Sequence, residues 1–149
     1  TYNINGQIAS ESLVPWLGTP DIENVDFFVL GFQELDLSTE AYILVDNAKE
    51  EEWSRGIEFA IREKGKYVKV ASKQLVGMLI MVYVKKEEVD YVSEVAALYV
   101  GTGILGMMGN KGATAIRLRY HSSYFTFVNC HLAADTSMVD RRNADFLDI

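Results

Sequence analysis

The sequence predicts one mixed domain of strands and helices, with a β-rich meander in its middle. Three runs of strand-forming residues, roughly 67 to 72, 75 to 84 and 89 to 100, follow one another with short breaks. Residues 48 to 64 instead show the spacing of an amphipathic helix. No internal repeat, low-complexity tract or Pro/Ser-rich linker divides the chain, so all of it is expected in one domain.

Composition limits the functions that the chain can have. With 149 residues, 49% hydrophobic and 23% charged, it is an ordinary globular sequence that can bury one core. The longest apolar run, Leu75 to Val84, is about half the length that a membrane-spanning helix needs. The net charge of −7 argues against a broad nucleic-acid surface, so an anion site must be local or supplied with a metal.

The first half of the chain begins with a short strand, Tyr2 to Asn5, that ends at Gly6. Residues 10 to 17 fit a brief helix that Ser10 caps and that stops before Pro20. A dense apolar run, Asp26 to Phe32, then predicts a buried strand with Gln33 and Glu34 at its polar tip.

Asn47 is a suitable cap for the helix from Ala48 to Lys64, and Gly65 supplies its stop. The cluster Lys85-Lys86-Glu87-Glu88 suits a turn between two strands of the meander. Residues 113 to 120 and 124 to 132 are expected to form a hairpin around His121-Ser122-Ser123. Thr136 or Ser137 starts a final helix, whose exposed side is expected to carry Asp140, Arg141 and Arg142.

The last strand combines an apolar body with a polar end. Its period of two places Phe125, Phe127, Asn129 and His131 on one face. Cys130 points to the opposite face. Because it is the single cysteine, no disulfide framework is possible, which indicates a reducing compartment. A lone histidine at a strand end is more often structural than catalytic, so the decision depends on its surroundings.

Three predicted strands end in polar residues, and their convergence would create a cation site. If the tips meet, one carboxylate, several amide oxygens and an imidazole surround a single point, which suits Mg²⁺ with its oxygen ligands and retained waters. In the alternative interpretation the amides cap turns and Glu34 is solvated. The polar tips are Asn3 and Asn5, Gln33 and Glu34, and Asn129 and His131.

Four motifs in this chain resemble those of the inositol polyphosphate 5-phosphatases in order and spacing. The likeness spans essentially the whole chain and is greatest to the type II group that contains the Lowe syndrome phosphatase, through residues 33 to 38 and 141 to 143. The four motifs are Thr1-Tyr2-Asn3-Ile4-Asn5-Gly6, Gly31-Phe32-Gln33-Glu34-Leu35, Gly109-Asn110-Lys111-Gly112-Ala113 and Val128-Asn129-Cys130-His131-Leu132-Ala133-Ala134.

The resemblance implies an α/β (α+β) four-layer sandwich of the DNase I-like kind, with the active site at the strand tips. It implies that Glu34 binds Mg²⁺ with Asn5 beside it and Asn3 in the same shell, and that His131 binds the scissile 5-phosphate. The implied catalytic residues are therefore His131, Glu34 and Asn3, the metal ligands Glu34 and Asn5, and the substrate-binding residues His131, Asn129, Lys111 and Asn110.

Three further segments have competing interpretations. Lys111, in a Gly-Asn-Lys-Gly turn, offers a point charge for an inositol phosphate, unless this is simply the turn into the next strand. The apolar loop of Ile104, Leu105, Met107 and Met108 is implied to touch lipid chains at a membrane, unless it packs under its own loop. Residues 41 to 44 are a second candidate for a membrane contact.

The chain also departs from the family pattern. Asp135 stands where many relatives have a second histidine, so the contacts of that histidine are not carried over to this chain. The later family motifs, including the aspartate thought to activate water, are absent, so residues 1 to 149 are expected to be the N-terminal half of one catalytic domain. Alone, this half is expected to be inactive, with uncovered apolar faces on strands such as Leu75 to Val84 and Tyr124 to Leu132.

The leading hypothesis is Mg²⁺-dependent removal of the 5-phosphate from phosphoinositides such as phosphatidylinositol 4,5-bisphosphate, with soluble inositol polyphosphates as further candidates. The expected location is cytoplasmic and peripheral to membranes, with a phosphoinositide lipid as partner and no nucleic acid. The alternatives are a non-catalytic phosphoinositide-binding or scaffold module of the same fold, and an endonuclease of the same fold. The acidic charge and the apolar loop count against the endonuclease.

Overall fold

The computed structural model describes residues 1–17, 25–38, 48–103 and 111–149. Within them, no helix is long and apolar enough to cross a membrane. Two short 3₁₀ segments, Arg62–Lys64 and Lys86–Tyr91, connect regular elements. The regular elements, in chain order, are β1 (Tyr2–Asn3), α1 (Val14–Leu17), β2 (Phe27–Gln33), α2 (Ala48–Ile61), β3 (Tyr67–Leu75), β4 (Met78–Lys85), β5 (Val92–Gly101), β6 (Gly112–Tyr120), β7 (Ser123–His131) and α3 (Val139–Asp148).

The strands form two sheets. The first has the order β1-β2-β4-β3, in which β1 runs parallel to β2 and the other neighbours are antiparallel. The second is the antiparallel meander β5-β6-β7. Strands β6 and β7 form the predicted hairpin, and His121 takes a left-handed φ of 51° in its turn. That conformation is uncommon outside glycine, and two-residue hairpin turns demand it.

Strand β4 lies in the centre of the protein because both of its faces are apolar. One face, with Leu79 and Met81, packs in the core that contains Trp53 of α2. The other face, with Ile80 and Val82, packs in the core shared with the second sheet. The expectation that Leu75 to Val84 would lack a second layer is therefore wrong, because α2 and the second sheet cover its two faces.

The described residues form three stacked layers: α2, the first sheet and the second sheet. The outer face of the second sheet is open, and Leu98, which pairs with Ala115 on this face, is 65% exposed. Tyr124 and Val128 of β7 are exposed as well, so the expected uncovered face is present on that strand. A sandwich normally covers such a face with a further layer.

The structure departs from the sequence prediction in the expected meander and at the starts of two helices. The three predicted strands do not form one meander, because β3 and β4 pair in the first sheet whereas β5 pairs with β6 in the second. The expected turn after β4 is the 3₁₀ segment Lys86–Tyr91, which leads from one sheet to the other.

Helix α1 begins at Val14, whose backbone N–H donates to Ser12 Oγ at 3.3 Å, so Ser12 replaces the expected Ser10. Helix α3 begins at Val139 because the Asp135 carboxylate accepts from the backbone N–H and the hydroxyl of Ser137, each at 3.0 Å. The expectations for Pro20, residues 41 to 44 and Asn47 lie outside the described residues.

Candidate functional site

Strands β1 and β2 bring Asn5 and Glu34 side by side. Beyond the last paired residues, the backbone N–H of Ile4 donates to Gln33 O at 3.0 Å, and that of Gly6 donates to Glu34 O at 2.7 Å. Asn5 and Glu34 both have a left-handed φ, of 47° and 55°. This conformation is costly for a glutamate and is found where the surrounding structure imposes it, often at functional sites.

Strands β6 and β7 bring Lys111 next to His131. His131, the last residue of β7, pairs with Gly112, and Lys111 directly precedes that glycine. Gly112 has a φ of 138°, and a Cβ atom there would lie 2.0 Å from Val100 O, so only glycine fits. This backbone places Lys111 Nζ 3.1 Å from His131 Nε2 and 3.5 Å from Nδ1.

The similar distances from Lys111 Nζ to the two ring nitrogens show where the ammonium lies relative to the imidazole of His131. A hydrogen bond along the in-plane lone pair of Nε2 would leave Nδ1 much farther away, because the in-plane directions of the two ring nitrogens diverge. Lys111 Nζ therefore lies over the ring near the carbon between the nitrogens. Glu34 Oε1 lies 3.6 Å from the same Nε2.

Glu34, Lys111 and His131 thus form a compact cluster at one end of the two sheets. The side chain of Glu34 is 24% exposed and that of His131 14%, so both are partly shielded yet reachable from solvent. Burial lowers the pKa of the Lys111 ammonium below its usual value, and the negative charges of Glu34 and Asp145 partly oppose this effect. The cluster combines a cation, a ring donor and a carboxylate, which together can bind a phosphate and a metal.

Asn129 has a different environment from the one that the sequence predicted. It is only 2% exposed, and its Nδ2 donates to Phe32 O at 3.0 Å and to Leu79 O at 3.2 Å. Its Oδ1 accepts a hydrogen bond from Gln33 Nε2. The expected direct contact of Asn129 with substrate is therefore corrected: the amide is used inside the protein, beneath His131.

Asn3 lies in the turn before Asn5, and the remaining predicted site residues lie outside the described part of the chain. Asn3 is exposed, and its Oδ1 accepts from the backbone N–H of Asn5 at 3.1 Å, so it closes the turn that presents Asn5. This contact agrees with the turn-capping alternative, and a catalytic role for Asn3 stays a prediction. Asn110 and the apolar loop of Ile104, Leu105, Met107 and Met108 lie outside the described residues.

Helix α3 holds the loops on either side of the cluster, which the sequence analysis missed. Asp145, buried on α3, accepts from Ala133 N at 2.9 Å and pairs with Arg141 Nε at 3.0 Å. Arg141 also donates to Thr102 O, while Arg142 donates to Ala133 O at 3.1 Å. Asp140 and Arg141 are exposed as expected, and Arg142 is partly buried, but both arginines also bind backbone carbonyls of these loops. The spacing of Arg141 and Asp145 by four residues was the available signal.

The donor set of the cluster suits a hard cation such as Mg²⁺. The described residues contain no group of three or more His, Cys, Asp and Glu side chains that could hold a metal by themselves. Mg²⁺ does not require such a group, because it keeps several waters and is often held by one or two carboxylates plus substrate phosphate. Glu34 provides the carboxylate and the adjacent Asn5 an exposed amide, and both assignments remain predictions.

Sequence comparison identifies relatives along the whole chain. The family model described as "Endonuclease/Exonuclease/phosphatase family 2" matches residues 1–149. The mouse protein "Type II inositol 1,4,5-trisphosphate 5-phosphatase" is 48% identical over 149 residues, which are 100% of this chain and 15% of that protein. Human Synaptojanin-1 is 31% identical over 169 residues, covering 100% of this chain and 11% of that protein.

Structural comparison agrees. The inositol polyphosphate 5-phosphatase domain of SPsynaptojanin, in complex with inositol (1,4)-bisphosphate and calcium ion, matches with a TM-score of 0.86 and 33% identity, over 99% of this chain and 43% of that one. A Cimex nitrophorin shares the fold at 13% identity and a TM-score of 0.68, over 95% of this chain and 48% of that one.

The chain thus spans less than half of the length of each of these relatives. The two packed sheets with helices belong to the endonuclease/exonuclease/phosphatase fold, as the resemblance implied. On the family match, the chain belongs to Endonuclease/Exonuclease/phosphatase family 2, and it is similar to inositol polyphosphate 5-phosphatases in sequence and in fold.

Proposed function

We propose that this chain contributes half of the active site of a Mg²⁺-dependent enzyme that removes the 5-phosphate from inositol phosphates and phosphoinositides. The observation that carries the proposal is the meeting of Glu34, Lys111 and His131 from separate strand ends. Lys111 Nζ lies 3.1 Å and Glu34 Oε1 3.6 Å from the same nitrogen, Nε2 of His131. A cation and an imidazole beside a carboxylate are what a phosphate with its metal requires.

The roles of the residues follow from the chemistry of phosphoryl transfer, which mainly needs positioning and neutralisation of charge. Glu34 would hold the metal, which when bound would supply Lewis-acid stabilisation of the phosphate oxygens. Lys111 contributes a positive charge whose partial burial strengthens its attraction for phosphate. His131 donates a ring N–H to a phosphate oxygen and helps to stabilise the charge that builds up there.

The names and ligands of the relatives support an inositol phosphate as substrate. The mouse relative is named for inositol 1,4,5-trisphosphate, and the solved SPsynaptojanin domain contains inositol (1,4)-bisphosphate, the product expected when that compound loses its 5-phosphate. The calcium ion in the same complex supports a divalent cation with oxygen ligands. We assign Mg²⁺ to this role because phosphate chemistry commonly uses it with few protein carboxylates.

The proposed lipid substrate and membrane contact depend on the apolar loop. Ile104, Leu105, Met107 and Met108 would insert among acyl chains, and the protein would act in the cytoplasm at a membrane surface. In the full-length protein, Leu105→Ser with Met107→Ser should reduce turnover of bilayer lipid much more than turnover of soluble inositol 1,4,5-trisphosphate. Equal losses on both substrates would indicate a packing role.

Phosphate release by the full-length protein, with and without Mg²⁺, tests the function itself. We expect release from inositol 1,4,5-trisphosphate and from short-chain phosphatidylinositol 4,5-bisphosphate, and no nicking of plasmid DNA. Binding of these ligands without any release would support a scaffold module instead. Nicking of DNA without phosphate release would support an endonuclease of the same fold.

A further inference from the structure

A buried hydrogen-bonded group joins the two sheets directly beneath the candidate site. Asn129 of β7 donates to Phe32 O of β2 and to Leu79 O of β4, at 3.0 and 3.2 Å, and accepts from Gln33 Nε2. Thr114 Oγ1, on the neighbouring strand β6, lies 3.5 Å from the same Nδ2. One side chain from the second sheet therefore contacts two strands of the first.

The orientation of this amide is fixed by its partners. Two carbonyl oxygens face Nδ2 and one amide N–H faces Oδ1, so a flipped amide would set oxygen against oxygen. The space for it depends on Gly31, where a Cβ atom would lie 2.7 Å from Asn129 Oδ1. Gly31 and Gln33 are two residues apart on β2, so both face Asn129.

The position of this group relative to the cluster suggests its purpose. Gln33 directly precedes Glu34, and Asn129 lies two residues before His131 on the same face of β7. Glu34 and His131, whose side chains approach to 3.6 Å, thus follow strand ends that are joined by the hydrogen bonds of the Asn129 amide. A loss of the hydrogen bonds of Asn129 would therefore change the separation of Glu34 and His131 more than it changed the rest of the two sheets.

We infer that Asn129 and Gln33, packed against Gly31, are positioning residues that set the distance between the metal-binding carboxylate and the phosphate-binding imidazole. The inference rests on the proposed function and deepens it. Neither residue touches the reacting phosphate. Because a displacement of about 1 Å in a phosphoryl-transfer site can cost up to ~10²-fold in rate, small shifts of the strand ends are sufficient.

Gln33→Met in the full-length protein tests the inference, because methionine keeps the length of the side chain but cannot donate to Asn129. We expect kcat to fall about 10-fold, with little change in KM and a higher Mg²⁺ concentration for half-maximal rate. Gly31→Ala, which presses on Asn129 without removing a hydrogen-bonding group, should show the same pattern.

Tyr67→Phe is the matched control, since it also removes one side-chain hydrogen bond to the first sheet, at the opposite end of β2. Tyr67 OH donates to Val25 O at 2.7 Å, just before β2 begins. We expect Tyr67→Phe to lower the melting temperature by a similar amount and to leave kcat and the Mg²⁺ dependence unchanged.

The outcomes distinguish failure of the positioning role from failure of the proposed function. If Gln33→Met keeps the kcat of the unmodified protein, or loses no more than Tyr67→Phe once the folded fraction is counted, the positioning role is overturned. If the unmodified protein releases no 5-phosphate under any condition, the proposed function itself fails. Gln33 is only partly buried, so its variant is expected to fold and to decide the question even where Gly31→Ala does not.

Discussion

The two histidines of the chain stand at opposite ends of β7 and show what distinguishes a site from a surface contact. Each has its Nε2 3.6 Å from a glutamate oxygen, His131 with Glu34 and His121 with Glu88. The side chain of His131 is 14% exposed, whereas that of His121 is 49% exposed. A carboxylate near an imidazole is therefore not by itself a mark of function in this protein.

The neighbours of the two rings make the difference. His131 lies against the ammonium of Lys111 above the buried Asn129. His121 stacks on Tyr91 at 4.2 Å and lies edge-on to Tyr120 at 4.4 Å. Charged side chains from several strand ends surround His131, whereas aromatic rings surround His121 in the hairpin turn. Convergence of unlike charges on one point is the feature that indicates a site.

Replacement of each histidine in turn should give the largest difference in activity between the two ends of β7. His131→Ala in the full-length protein is expected to lower kcat about 10³-fold, the scale of a lost stabiliser of transition-state charge. His121→Ala should leave kcat unchanged. Phosphate release from inositol 1,4,5-trisphosphate measures both, and similar losses in the two variants would show that the histidines do not differ in role.

The two glutamates offer the next comparison. Glu34→Gln keeps size and hydrogen bonding but removes the charge, so we expect a loss of at least ~10²-fold in rate together with loss of Mg²⁺ dependence. Glu88→Gln, beside His121, is the control and should keep both. Rates measured across a Mg²⁺ titration distinguish the variants, and a normal titration for Glu34→Gln would refute the metal assignment.

Lys111 should show a conflict between stability and function. Burial lowers the pKa of its ammonium below the ordinary 10.5, which means that the charged form is disfavoured in the folded protein. Lys111→Met should therefore stabilise the ligand-free protein at neutral pH and raise KM about 10-fold, because the positive charge for phosphate is lost.

The sign of the pH effect follows from the direction of this shift. A lysine with a lowered folded pKa costs stability while it is charged, and the cost disappears as pH rises from the lowered value toward 10.5. The advantage of Lys111→Met in urea unfolding should thus shrink as pH approaches 10.5. Lys86→Met, at an exposed position, is the control. An advantage that grows with pH would contradict the account.

The smallest effect is expected at the His121 end. Tyr120 OH donates to Glu88 Oε2 at 2.7 Å, which raises the pKa of Tyr120 to about 12. Tyr120→Phe should cost about 1 kcal/mol of unfolding free energy at pH 7, with normal turnover. Because the folded pKa is raised, the contribution should be lost as pH rises from 10 through about 12. Urea unfolding at several pH values tests this.

The sequence predicted those parts of the fold that depend on local pattern. The apolar run before Gln33, the helical face around Trp53 and the hairpin at His121 each follow from spacing within about ten residues, and the structure has all three. The predicted start of α3 was too early, because the backbone N–H of Ser137 donates to the carboxylate of Asp135.

The parts that were missed depend on distant partners. The period of β7 correctly placed Asn129 on the inner face, but it could not show that Phe32 O and Leu79 O, far away in sequence, would use its amide. The double burial of β4 likewise required knowledge of both covering layers. The resemblance brought Glu34 and His131 together before any geometry was known, whereas the contact of Lys111 with the ring needed the fold.

A crystal structure of the complete domain with Mg²⁺ and inorganic phosphate is the most direct test of the central claim, that Glu34, Lys111 and His131 form one phosphate and metal site. We expect phosphate oxygens within ~2.7–3.2 Å of His131 and Lys111, and the metal bound to the Glu34 carboxylate. Phosphate and metal bound elsewhere, with Glu34 and His131 in contact only with protein, would contradict it.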